Sequence, residues 1–159
     1  MMKRFAFVSV GALVALSLSS TGYAEAGKAK AAAAGKAVLW AAEDVKWVDV
    51  PGSPVKMAVL WGDPAKGPHG ALLKFPAGFE APLHHHTADH RVIVVSGTAV
   101  MTPEGEASKR LGPGSMFSFT GRKKHTTKCD AASECVFFLD DSGPWDLVLE
   151  DGKMAAPKK

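Results

Sequence analysis

Beyond residue 44 the chain alternates between short apolar runs and tight clusters of glycine, proline and aspartate. The runs occupy residues 45–50, 55–61, 71–75, 91–96, 98–102, 116–120, 135–139 and 145–149, each rich in Val, Ile, Leu, Phe or Trp. Between them stand Pro51-Gly52, Gly62-Asp63-Pro64, Pro76-Ala77-Gly78, Gly112-Pro113-Gly114 and Ser142-Gly143-Pro144. Runs this short suit strands, and no segment here sustains a helical apolar period over several turns. The punctuation predicts an all-β sandwich or barrel, and a small double-sheet barrel of the jelly-roll kind accommodates strands of this length and spacing. Some runs, Val92-Ile93-Val94-Val95 above all, are apolar on both faces. Such a strand faces the barrel interior on one side and a second layer or subunit on the other, so a homodimer through one sheet is expected.

The chain's ends do not share this pattern. Lys3 and Arg4 precede an apolar stretch over residues 5–18, followed by the small and polar Ser19-Ser20-Thr21-Gly22-Tyr23-Ala24. That order predicts a secretory signal peptide over residues 1–24, cut at Ala24/Glu25. The alternative, a transmembrane anchor, needs roughly 20 apolar residues and the run falls short of that. Residues 25–36 read as a flexible Ala/Gly/Lys leader, 37–150 as the folded barrel and 151–159 as a solvated tail. The whole chain carries +3, but residues 37–150 hold 11 Lys+Arg against 14 Asp+Glu, a balance of −3. The basic character therefore sits in the ends, and nucleic acid is not an expected partner. Export implies a periplasmic or secreted protein with no membrane association after cleavage.

Export also bears on the two cysteines, since such a chain meets an oxidising compartment. Cys129 and Cys135 flank Asp130-Ala131-Ala132-Ser133-Glu134, a polar turn-like segment between more regular runs. A disulfide stapling this loop is the preferred reading. Two free thiols or a thiolate metal site are the alternatives, and no CxxC pair suggests redox chemistry.

Candidate chemistry concentrates in LHHHTADH, residues 83–90, which holds four of the six histidines. On a strand, His84 and His86 share one face while His85 points away. A pair at i and i+2 can hold one ion, and the short Thr87-Ala88-Asp89 brings His90 to the start of the next strand. A stable site then needs a further group from elsewhere, with His69 and His125 the remaining histidines. His69 lies in a Pro-His-Gly turn and His85 on the opposite face, so neither is assigned to the site. Glu80 shares parity with His84 but lies about 13 Å along an extended strand. Asp89 is a candidate acceptor for a ligand imidazole, or simply a solvated loop carboxylate.

Here the chain resembles the cupin superfamily, whose first motif is G-x5-H-x-H-x3,4-E-x6-G. Gly78, His84, His86, His90 and Gly97 fit every spacing, with His90 where the family usually has glutamate. The second motif, G-x5-P-x-G-x2-H-x3-N, aligns with Gly114, Thr120, Arg122, His125 and Cys129, of which only the first glycine and the histidine match. The resemblance implies a single double-stranded β-helix barrel. It also implies one divalent transition-metal ion held by His84, His86 and His125, with His90 in the glutamate's place. Iron is favoured, with zinc, nickel, copper or manganese as alternatives. Four neutral imidazoles leave a divalent ion near +2, a site that favours anionic ligands and transition metals over magnesium or calcium.

Cupins with three or four histidine ligands include oxygenases, so the first functional expectation is a metal-dependent dioxygenase acting on a small enolic or phenolic molecule. The second is a non-catalytic module that binds or senses a metal or small ligand. A zinc-dependent isomerase or hydrolase, which needs only an open position on the ion, ranks third. No general base is identifiable in the sequence.

Overall fold

The computed structural model describes residues 35–150. The expected signal peptide, most of the leader and the solvated tail lie outside the described residues. A single-turn 3-10 helix, Ala42–Asp44, precedes eleven strands. These are β1, Val48–Asp49; β2, Lys56–Gly62; β3, His69–Phe75; β4, Glu80–His85; β5, His90–Ser96; β6, Ala99–Pro103; β7, Lys109–Leu111; β8, Met116–Phe119; β9, His125–Cys129; β10, Cys135–Asp141; and β11, Val148–Leu149. They form two antiparallel sheets, of order β1-β2-β3-β10-β5-β8 and β11-β4-β9-β6-β7. This is the jelly-roll barrel that the short runs predict, with successive strands crossing repeatedly between sheets.

Strict alternation builds the interior. In β10, Cys135, Phe137, Leu139 and Asp141 are buried, and in β5 His90, Val92 and Val94 are buried while the residues between them are more open. Phe75 and Phe117 meet Phe137 edge-on, at centroid separations of 5.2 and 6.3 Å. Burying such rings contributes their apolar area and an additional edge-to-face term of about 1 kcal/mol each.

Besides β4, which carries His84 and leads into His86, two strands escape an apolar-run reading. β9 is His-Thr-Thr-Lys-Cys, yet His125, Thr127 and Cys129 are all buried. Its inward positions are polar because they face a cavity. β7 is Lys-Arg-Leu, an edge strand that buries only Leu111. Edge strands gain from charge, which discourages pairing with other chains. His69 also departs from expectation. It opens β3 instead of lying in a solvated turn, and it is 1% exposed.

Cys129 and Cys135 form a disulfide with Cα atoms 5.7 Å apart, closing the β9–β10 turn. An oxidising, extracellular type of compartment is where such a bond persists. The same turn explains Gly97. Its φ is +77°, and a Cβ there would lie 2.4 Å from the Glu134 carbonyl oxygen and 2.9 Å from Cys135 Sγ. Gly97→Ala should therefore cost about 2–5 kcal/mol from left-handed strain plus overpacking, read as a lower midpoint in urea unfolding. An unchanged midpoint would show that the turn yields. At Arg122, where the second cupin motif carries glycine, φ is still 61°. The backbone has kept the glycine geometry with a side chain that tolerates it less well.

Candidate metal centre

The histidine cluster is assembled from both sheets. His84 lies in β4 and pairs in register with His125, the first residue of β9, so their rings meet at 4.3 Å. His86 follows β4 directly, and His90 opens β5 in the opposite sheet. The loop between them, residues 86–89, crosses the barrel from one sheet to the other. Asp146 pins it, because its carboxylate accepts the Thr87 N–H at 2.9 Å and the Thr87 hydroxyl at 2.7 Å. The Asp146 backbone carbonyl takes the His86 Nδ1–H. Sequence reasoning missed Asp146, which lies far from the histidines along the chain.

All four rings are buried, and three have a fixed proton position. Nδ1 of His84 meets the Pro82 carbonyl at 2.6 Å, Nδ1 of His125 meets that of Lys123 at 3.0 Å, and Nδ1 of His86 meets that of Asp146. A carbonyl can only accept, so each Nδ1 carries the hydrogen and each Nε2 keeps its lone pair. One ring nitrogen from each of His84, His86 and His125 lies within 4.8 Å of the others. Donors about 2.0–2.1 Å from a common ion stand roughly 3–4 Å apart, so a small closing movement would suffice. The donor set thus fits a transition metal. His90 is not in this tight group, but its ring lies 4.4 Å from that of His86 and 5.9 Å from that of His125.

Burial lowers the pKa of every ring in the cluster. Desolvation, reinforced by the neighbouring imidazoles, pushes His86 and His125 down to about 3 and His90 to about 4, and His84 moves the same way. All four are neutral at physiological pH, the protonation state a metal ligand needs. Phe119 stacks on His125 at 3.8 Å with planes 8° apart, and Trp145 packs 5.0 Å from His86, so the rings have little room to turn.

The histidines line one wall of a cavity of about 320 Å³. Val55, Leu73, Phe79, Phe117, Leu139 and Trp145 form much of the rest, with Ser53 and Thr127 as the hydroxyls. Among the described residues, no Asp, Glu, Lys, Arg or Tyr lines it. The remaining candidates lie elsewhere. His85 points outward to the Glu150 carboxylate, 3.0 Å away. Glu80 is exposed beside Lys128, and Asp89 accepts the Gly121 N–H at 3.1 Å. Neither carboxylate reaches the cavity.

Solved structures share this barrel. An RmlC-like cupin protein from Ralstonia eutropha JMP134 is similar, 26% identical, with a TM-score of 0.60 over 76% of this chain and 78% of that one. The polyketide cyclase RemF from Streptomyces resistomycificus follows at 18% identity and a TM-score of 0.59, over 74% of this chain and 89% of that one. The DMSP lyase DddQ from Ruegeria pomeroyi DSS-3 matches at 21% identity and 0.58, over 70% and 64%. At the identities of the last two, the likeness is one of fold. Among curated proteins, the DNA damage-repair/toleration protein DRT102 of Arabidopsis thaliana is 29% identical over 92 residues, which are 57% of this chain and 29% of that protein. The chain thus matches less than a third of that relative's length. Residues 10–148 match the family model described as a domain of unknown function, DUF4437, and this cupin barrel belongs to that family.

Proposed function

We propose that the protein is an exported, metal-dependent cupin oxidoreductase of the dioxygenase type, with His84, His86, His90 and His125 holding one divalent ion. The observation that carries this reading is an all-imidazole donor set in an apolar cavity that, among the described residues, no carboxylate, lysine, arginine or tyrosine lines. Isomerisation or elimination, and hydrolysis in sites where the ion does not itself activate water, use a protein base of tuned pKa beside the substrate. An enol or phenol oxidised by dioxygen has an acidic proton of its own and places less demand on the protein. Imidazole donors suit iron, copper, nickel and zinc, and a bound ferrous ion would supply the one-electron chemistry that dioxygen requires.

The chain's own residues would then do three things. The Nδ1–H bonds to Pro82, Asp146 and Lys123 hold three rings with Nε2 inward. The apolar walls exclude water and take a small, largely apolar substrate, since the cavity is near the lower end of the roughly 300–1,000 Å³ usual for ligand pockets. Ser53 and Thr127 offer its polar groups hydrogen bonds. The test is oxygen uptake by iron-loaded protein with a panel of enols and phenols. Turnover supports the reading. Tight, reversible metal binding with no uptake by any panel member would replace it with a metal- or ligand-binding module.

A homodimer through the larger sheet belongs to the same proposal. On its outer face Met116, Ile93, Phe138 and Leu72 stand in one cross-strand row, with the Trp61 ring 5.5 Å from Phe138. Ile93, Met116 and Trp61 are exposed. Contiguous apolar rows of this kind mark contact surfaces. Ile93→Lys should convert the dimer to monomer in sedimentation equilibrium, and a monomeric wild-type protein at micromolar concentration would refute the arrangement.

A further inference from the structure

Among the described residues, the buried side-chain polar atoms with no hydrogen-bond partner are His69 Nε2, Asp141 Oδ1 and His90 Nδ1. Buried polar groups are nearly always paired, so each such atom calls for an explanation. These three belong to residues that stand side by side. Asp141 in β10 is the register partner of His69 in β3 on one side and of His90 in β5 on the other. Directly paired residues on adjacent strands share a face, with Cβ atoms about 4.5–5.5 Å apart. All three are buried, at 1%, 3% and 4% exposure. Three unpartnered atoms in one cross-strand row point to a single arrangement.

The chemistry at each end gives the row a direction. His69 Nδ1 lies 3.1 Å from the Gly67 carbonyl and 3.2 Å from that of Gly143. Both oxygens only accept, so that nitrogen carries a hydrogen. Its Nε2 faces Asp141 Oδ2 at 3.6 Å, an ion-pair separation that is long for a hydrogen bond. His69 thus flanks one side of the carboxylate. The other carboxylate oxygen is left for the neighbour on the opposite strand. At that neighbour, His90, the Ala88 carbonyl approaches the ring but completes no hydrogen bond to Nδ1, whereas in the other three rings of the cluster Nδ1 is held by a backbone carbonyl.

We propose that Asp141 is the positioning residue for His90: its Oδ1 accepts the His90 Nδ1–H, directly or through one enclosed water, and so holds Nε2 toward the other three histidines. The inference rests on the reading of His90 as a metal ligand. It gives the fourth ring what backbone carbonyls give the other three, and it places a carboxylate one residue behind the position where cupins usually have one in front. Outer partners of this kind typically change metal affinity by about 10–100-fold.

Two measurements test it, one of which needs no metal. Long-range proton–nitrogen correlation spectra of the metal-free full chain report each imidazole tautomer. The expected result is His90 with Nδ1 protonated and a proton there protected from exchange, with that protection lost in Asp141→Ala; protection retained in Asp141→Ala would assign the acceptor to the Ala88 carbonyl and overturn the proposal. His90 as the Nε2–H tautomer, or a freely exchanging mixture, would overturn the proposal whatever the metal does. The second measurement is Co²⁺ affinity by chelator competition, with the visible spectrum of the complex. Asp141→Asn keeps the shape, removes the charge and should weaken Co²⁺ about 10–100-fold with an altered spectrum. His84→Ala should abolish binding, and affinity within about 2-fold of wild type in Asp141→Asn overturns the role. If wild-type protein binds no Co²⁺, the metal reading fails while the tautomer result still decides the hydrogen bond. Two equivalents of metal, reduced to one by His69→Ala, would replace the proposal with a second cation held by these three residues.

Discussion

Replacing His84 and His125 together with alanine should take the purified protein from about one equivalent of transition metal to below about 0.1, measured by elemental mass spectrometry on untagged protein. The two rings sit 4.3 Å apart on paired strands and form the cross-strand core of the donor group. Losing both leaves His86 and His90, too few for the four-coordinate shell that a tight site requires. The fold should survive at reduced stability, because the cluster around Phe137 stays intact while Phe119 loses its stacking partner. Thermal unfolding gives a second reading of the same expectation. Metal that binds only the folded state raises the midpoint of wild type by mass action, and it should leave the double variant unmoved. Equal metal content in the two proteins would sink the site assignment. No metal in wild type after reconstitution would make the protein a bare ligand-binding barrel.

Acid should unfold the metal-free protein far more readily than the double variant. In the folded state the pKa of His86 and His125 is about 3 and that of His90 about 4, against 6.5 for an unburied ring. Between those limits the unfolded chain binds more protons than the folded one, so stability falls as pH falls. Each such histidine contributes about 1.4 kcal/mol per pH unit. Asp141 works the other way. Burial raises its carboxyl to about 6 from 3.8, so over that window the folded state binds the extra proton and gains stability as pH falls. One carboxyl against three imidazoles leaves a net loss on the order of 3 kcal/mol per pH unit. A domain at the lower end of the usual range, about 5 kcal/mol, would reach its midpoint near pH 5. Circular dichroism along an equilibrium acid titration in the presence of a chelator measures it. Removing His125 and His84 should shift the midpoint downward by about half a unit or more, and bound metal should do the same for wild type by competing with protons. Coincident acid transitions for all three samples would show that these rings titrate as ordinary exposed histidines.

Much of the fold is written locally. Short Val/Ile/Phe runs bounded by Gly-Pro clusters allow strands and little else, and β2, β3, β5, β6, β8 and β10 stand on or close to those runs. The motif spacing from Gly78 to Gly97 was legible for a physical reason. A left-handed turn, an i and i+2 histidine pair and a second left-handed turn against a neighbouring strand each restrict the residue type at a fixed offset. The polar strand β9 was not legible as a run, because its inward residues serve the cavity. His125 was legible only through the second motif, where it and Gly114 alone match the family's pattern.

The sequence by itself determined an all-β architecture of short strands and the shared face of His84 and His86, which follow from side-chain period and turn chemistry. The cupin barrel came from the motif resemblance, and the Cys129–Cys135 bridge is preferred there over free thiols or a thiolate metal site without being decided. Only the tertiary structure decided that Asp146 pins the His86 loop, that Trp145 packs against that ring, and that Asp141 stands between His69 and His90. Even there a faint signal existed, since Asp141 continues the inward parity of Phe137 and Leu139. Parity tells which face a residue occupies. Which residues from other strands share that face depends on strand order and register, and these are set by contacts between positions far apart in the chain.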